Sequence, residues 1–160
     1  YYLDSHAMEL GHAPLVKTAA ALFQEICYNN KDRLMASIIC AGWDEKNGGS
    51  VFALPLGGSL VQQDWACGGS GSTFIYGYID ANYKKGMTKE ECQDFVTKAI
   101  SLAMARDGSS GGLIRLAVID KSGVERLLVP GNRLPYMPEK DVTGEPQIVT
   151  AAPRFVTKIQ

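Results

Sequence analysis

Ser110 stands in a Gly108-x-Ser110-x-Gly112 frame, the spacing of the elbow that presents a nucleophilic serine in many hydrolases. Such an elbow joins a strand to a following helix, and its strained turn lifts the hydroxyl above a sheet. Here the order is reversed: a helical pattern precedes the loop and a strand pattern follows it. A serine hydrolase also needs a histidine base steered by a carboxylate. The two histidines, His6 and His12, stand at the start of the chain, and His12 beside a Gly-Ala-Pro turn reads as an exposed loop residue. A serine hydrolase using Ser110 is therefore the disfavoured reading of this loop.

Two other readings remain for "ARDGSSGGLI". In the first, Asp107-Gly108 closes a helix and the glycines allow a tight entry into a strand, so the loop is only a turn. In the second, Asp107, Ser109 and Ser110 place one carboxylate and two hydroxyls in a short turn, a support shell that orients and tunes a reactive group brought from elsewhere. "GGSGS" at residues 68–72 raises a similar choice. A glycine turn that opens a helix can bind an anion through free backbone N–H groups. It lacks the G-x-G-x-x-G spacing and the P-loop lysine, which argues against nucleotide binding and leaves Ser70 as a candidate hydroxyl donor.

These loops need elements to hold them. "YYLDSHAMEL" reads as the end of a helix closed by Gly11 and Pro14. Leu15, Ala19, Leu22 and Ile26, with Val16, Ala20, Phe23 and Cys27 beside them, predict an amphipathic helix with a wide buried face. "MASIICAGWD" and "SVFALPL" flank a turn in which Asn47-Gly48 supplies positive φ angles, and "SLVQQD" adds a short further strand. A short apolar strand from Trp65 to Cys67 runs into the glycine-serine turn, and a helix starts near Ser72. Thr88-Lys89-Glu90-Glu91 is a capping box; its helix is expected to bury Cys92, Phe95, Val96, Ala99, Ile100 and Ala103 and to stop at Asp107-Gly108. "LIRLAVID" and "VERLLV" form a second hairpin. Residues 130–160, with five of the seven prolines and little periodicity, read as an extended tail. Paired helices between antiparallel strands suit an α+β fold with helices layered on sheets, not a doubly wound one.

Bulk properties narrow the function classes. A chain of 160 residues with 46% apolar composition is one domain with a real core. Its net charge of −1, with signs intermixed, lacks the footprint of a nucleic-acid binder, and no apolar run approaches a membrane span. The cysteines Cys27, Cys40, Cys67 and Cys92 lack the spacing of a zinc site and read as buried reduced thiols. With no Asn-x-Ser/Thr acceptor, a reducing compartment, cytoplasm or nucleus, fits best. No cofactor or metal is expected.

"GSGSTFIYGYIDANYKKGMTKEEC", "DGSSGGLIRLAVIDKSGVER", "TAAALFQEICYNN" and "ALPLGGSL" together resemble a beta-type subunit of the 20S proteasome, most of all the caspase-like catalytic beta-1 type. The similarity runs from the first residues to about Val129, so residues 1–129 are expected to be the C-terminal part of the subunit domain and 130–160 its tail. The resemblance implies a four-layer αββα sandwich of the N-terminal nucleophile hydrolase type, incomplete at the N-terminus. It implies a threonine endopeptidase, cleaving after acidic residues in ATP-dependent, ubiquitin-linked degradation of unfolded polypeptides. The partners implied are other alpha and beta subunits, in the cytoplasm and nucleus.

In that family the nucleophile is the hydroxyl of an N-terminal threonine whose own amine moves the proton, which needs no histidine. The resemblance places Ser70, Asp107 and Ser110 beside that amine. The first residue here is Tyr1, and the family pattern has the 160 residues begin within the first long helix. The threonine, its lysine and aspartate and the oxyanion glycine are then absent, and the chain alone is expected not to hydrolyse peptides. A non-catalytic structural beta subunit is the alternative.

Overall fold

The computed structural model describes residues 1–136 and 157–158. The elements are α1 (Tyr2–Leu10), α2 (Val16–Asn29), β1 (Ile38–Asp44), β2 (Gly48–Leu54), β3 (Val61–Gln63), α3 (Tyr76–Asn82), α4 (Lys89–Arg106), β4 (Ile114–Asp120), β5 (Gly123–Val129) and β6 (Thr157–Lys158). Mixed helix and antiparallel strand content makes the fold α+β. Two compact units divide the chain: Tyr1–Gly68 with Ile119–Val124, and Gly69–Val118 with the described residues of Glu125–Gln160.

In the first unit α1 ends where Gly11 turns left-handed at φ 69°. The next helix has no side-chain cap of its own. Instead Asp44, at the end of β1, accepts a hydrogen bond from the Val16 N–H at 3.0 Å and from the Asn47 N–H at 2.7 Å. One carboxylate thus caps α2 and closes the hairpin turn, satisfying donors a helix start leaves orphaned. The positive φ of that turn falls on Gly48 alone, at 69°, and no other residue type in the described chain has one. Asn47 keeps a negative φ because it is held through its N–H and amide by Asp44.

Sheet order is β1-β2-β3, antiparallel throughout, with Cys40 opposite Phe52 and Phe52 opposite Gln62. Alternation along β2 turns Ser50, Phe52 and Leu54 inward. Phe52 and Leu54 meet Val16 and Ala20 of α2, with Ile38, Cys40 and Leu60 packed around them. Each fully buried Leu or Phe of that kind contributes about 1.5–3 kcal/mol. Gly42 lets the helix come close: a Cβ there would sit 3.0 Å from a Val16 methyl. The buried face of α2 is narrower than its periodicity predicts, since Phe23 and Ile26 are 39% and 37% exposed.

At the end of the first unit Trp65–Cys67 forms no strand; in the second, Ser72–Phe74 is a 3-10 turn that leads into α3. The expected strand is instead a loop that gives way to a left-handed Gly69 two residues on. The capping box of α4 is present in both directions: Glu91 N–H to Thr88 Oγ1 at 3.2 Å and Thr88 N–H to Glu91 Oε2 at 2.8 Å. Ala99 and Ala103 are buried on this helix with Thr97 and Ser101, while Cys92 and Ile100 are exposed. Only Cys27 of the four thiols is buried, and none forms a disulfide.

The second sheet runs β4-β5-β6, with Leu127 opposite Lys158 and Leu128 opposite Thr157. After β5 the chain stays tied to α4: Ser101 Oγ donates to the Tyr136 carbonyl at 2.7 Å, and the Tyr136 N–H donates back at 3.0 Å. The rest of the expected tail, 137–156 and 159–160, lies outside the described residues. Among the described residues no helix is long and apolar enough to cross a membrane.

Candidate functional site

Asp107 caps the C-terminal end of α4. Its N–H still bonds the Ala103 carbonyl at 2.8 Å, but its φ and ψ of −87° and 112° turn the chain out of the helix. That turn swings the carboxylate back over the helix end, where it is 7% exposed. The following glycines let residues 108–112 fold over it, with Gly112 at φ 92°.

Ser70 arrives from the other side, in the loop between left-handed Gly69 and the 3-10 turn. Its Oγ donates to Asp107 Oδ2 at 2.7 Å. Ser110 Oγ donates to the same oxygen, and the Ser109 N–H donates to Oδ1 at 3.1 Å. A further bond from the Ser110 N–H to the Asp107 carbonyl at 3.3 Å closes the turn. Residues 37 positions apart thus meet on one carboxylate. The bonds from Ser110, Ser70 and Ser109 hold the Asp107 carboxyl below its ordinary range, with burial opposing them.

The direction of these bonds decides what the corner can do. A serine hydroxyl has one proton and two lone pairs. Both protons point inward at Asp107, so Ser70 and Ser110, which are exposed, offer only acceptors to the outside. Such a corner suits an N–H donor such as an amine or ammonium. It does not suit a serine nucleophile, because a carboxylate held below its usual pKa is a poor base for the Ser110 proton. His12 is exposed in the first unit, with its Nδ1 bonded to the Ala13 carbonyl at 2.9 Å.

Ser70, Asp107 and Ser110, the three residues the sequence singles out, are therefore together. The Ser109 backbone N–H belongs with them and is foreshadowed by the Asp-x-Ser spacing of a side-chain-capped turn. Gly131 also bears on the loop: a Cβ there would fall 2.0 Å from the Gly112 carbonyl oxygen, so the chain after β5 runs hard against the GSSGG segment. Nothing in the local sequence signals that approach. Among the described residues no three His, Cys, Asp or Glu side chains cluster as metal ligands.

Comparison with known proteins identifies the family. Residues 1–119 match the family described as proteasome subunit. The chain belongs to the proteasome subunit family. It is 62% identical over 135 residues to the proteasome subunit beta type-6 of Dictyostelium discoideum, covering 84% of this chain and 63% of that one. It is 55% identical over 126 residues to the probable proteasome subunit beta type-1 of Schizosaccharomyces pombe, covering 79% and 56%. Against the human proteasome subunit beta type-9 the identity is 52% over 135 residues, covering 84% and 61%. Proteasome relatives of the beta type are thus shared by all three matches, under three type numbers. The chain spans less than two thirds of the length of each.

Proposed function

We propose that the chain is part of a beta-type subunit in the 20S proteasome core, and that its Ser70–Asp107–Ser110 corner holds the amine of an N-terminal threonine contributed from outside these 160 residues. What carries this reading is the inward aim of both serine protons, which leaves outward acceptors for amine N–H groups over an ionised carboxylate. An α-amino group titrates near about 7.7–8.0 when unperturbed. The neutral amine takes the proton released as the threonine hydroxyl attacks a peptide carbonyl, and Asp107 stabilises the ammonium that forms. The ammonium returns that proton to the departing peptide amine as the C–N bond breaks, and water then hydrolyses the resulting ester to the acid and the free threonine hydroxyl; the serine oxygens can hold that water as well.

Cleavage after acidic residues follows from the likeness to the caspase-like beta-1 type. So do the four-layer αββα sandwich of the complete subunit, assembly with other alpha and beta subunits, and unfolded polypeptide substrates in the cytoplasm and nucleus. No nucleic acid, membrane, metal or cofactor enters this reading.

The corner also supports a second reading, a non-catalytic beta subunit. Both oxygens of Asp107 are satisfied by Ser70, Ser110 and Ser109, as in a pin that fastens the GSGS loop to the end of α4. Membership of the beta type is common to both readings. Assembled particles carrying Asp107→Asn in this subunit separate them, assayed on a fluorogenic peptide with an acidic P1 residue. The catalytic reading expects turnover to fall by about 10²-fold. Undiminished turnover in intact variant particles would leave only the structural role.

A further inference from the structure

We propose that Gly71 is a positioning residue of this corner: its missing side chain is what lets the Ser70 loop and the end of α4 share the Asp107 carboxylate. The inference deepens the catalytic reading above and names the element that sets its geometry.

The two glycines around Ser70 are there for different reasons. Gly69 has φ 93° and open space where a Cβ would go, so conformation demands it. Gly71 has φ −81° and ψ −8°, which any residue adopts. Space demands this one. A Cβ at 71 would sit 3.2 Å from Ala103 Cβ, 3.2 Å from Asp107 Oδ2 and 3.5 Å from Asp107 Cβ. Gly71 is itself buried, and Ala103, one turn before Asp107, is 6% exposed. A methyl group therefore cannot swing into solvent. Either the loop or the carboxylate has to yield by a few tenths of an ångström.

The carboxylate is the softer of the two neighbours. Ala103 is fixed in a helix whose backbone would have to move, whereas Asp107 Oδ2 is held only by two serine hydroxyls. Displacing it lengthens the Ser70 bond first, because Ser70 adjoins the new methyl in the chain. The outward acceptors then no longer converge on one point. Errors of position near 1 Å cost up to about 10²-fold in rate, so a shift of a few tenths corresponds to a loss of about tenfold.

The test is Gly71→Ala, with Ala103→Gly and Gly71→Ala/Ala103→Gly, read in two ways. The first is carbon NMR titration of the Asp107 carboxyl in the full subunit, with Asp107→Asn identifying the signal. The second is kcat and KM of assembled particles on the acidic-P1 peptide. Gly71→Ala is expected to raise the Asp107 titration midpoint and to lower kcat about tenfold with KM within about twofold. Ala103→Gly alone is expected to leave the midpoint in place. If the single variant does not fold, the double one keeps the carboxylate contact without the helix contact and is expected to show the same raised midpoint. A wild-type midpoint in both folded variants overturns the inference, as does an equal rise in Ala103→Gly. A raised midpoint together with wild-type turnover in Asp107→Asn particles upholds the positioning role while refuting the catalytic one.

Discussion

Methyl groups added one at a time to Gly57 and Gly58 separate two costs that a single turn combines. Gly58 N–H bonds the Pro55 carbonyl at 3.2 Å, so Pro55–Gly58 is a β-turn with Gly57 as its third residue. Both glycines have positive φ, 96° and 78°. The site at 57 is open, with nothing within 4 Å of a new Cβ. At 58 the Cβ would meet the Tyr28 nitrogen at 2.9 Å and its Cα at 3.0 Å, at the last turn of α2. Those neighbours are backbone and cannot rotate away. Gly57→Ala should thus lose only the left-handed penalty, about 1–2 kcal/mol. Gly58→Ala adds overpacking of about 1–3 kcal/mol, for a total near 2–5 kcal/mol. Thermal unfolding of the full subunit, followed by circular dichroism, should place Gly58→Ala about 2–12 °C below Gly57→Ala. Equal melting temperatures would show that α2 does not press on this turn.

Thr88→Ala should lose about 1 kcal/mol, seen as a lower urea midpoint and faster hydrogen exchange at the Glu91 amide, because that N–H loses the Thr88 hydroxyl as its acceptor. Ser101→Ala leaves the Tyr136 N–H and carbonyl without their partner; a loss of about 1–3 kcal/mol and faster exchange at Tyr136 are expected in the same measurements. For Asp44, burial pushes the carboxyl up, but bonds from Val16 and Asn47 outweigh it and hold it low. A depressed folded value means that the stabilisation is fully present above the ordinary aspartate range, about 3.9, and is lost as pH falls through the folded value. Acid unfolding curves of Asp44→Asn and Asp107→Asn should each be flatter below that range than the parent's. In the full subunit outside the particle, a thiol reagent should label exposed Cys92 first and buried Cys27 last, which peptide mapping by mass spectrometry reads directly.

Local chemistry was legible in the sequence wherever an element carries its own boundary. The capping box at Thr88, the αL stop at Gly11 and both hairpins need only neighbours a few residues away. Faces were less legible. Periodicity shows that Phe23, Ile26, Cys92 and Ile100 lie on apolar stripes, but not what covers those stripes, and all four are exposed. Ser101 illustrates the converse: a serine within α4 reads as a weak helix former until Tyr136, 35 positions on, is seen to use its hydroxyl twice. The meeting of Ser70 with Asp107 is of the same kind. No spacing rule links positions so far apart, and only the resemblance to a known family put them side by side.

Asp107 stands where the peptide dipoles of an 18-residue helix end. That terminus carries the equivalent of about half an elementary negative charge, and the ionised side chain adds a whole one at the same spot. Arg106 is the single basic residue in the last turn. The corner is therefore a sink of negative potential sheathed by two hydroxyls, which a positive group approaching from outside would feel before it touched any atom.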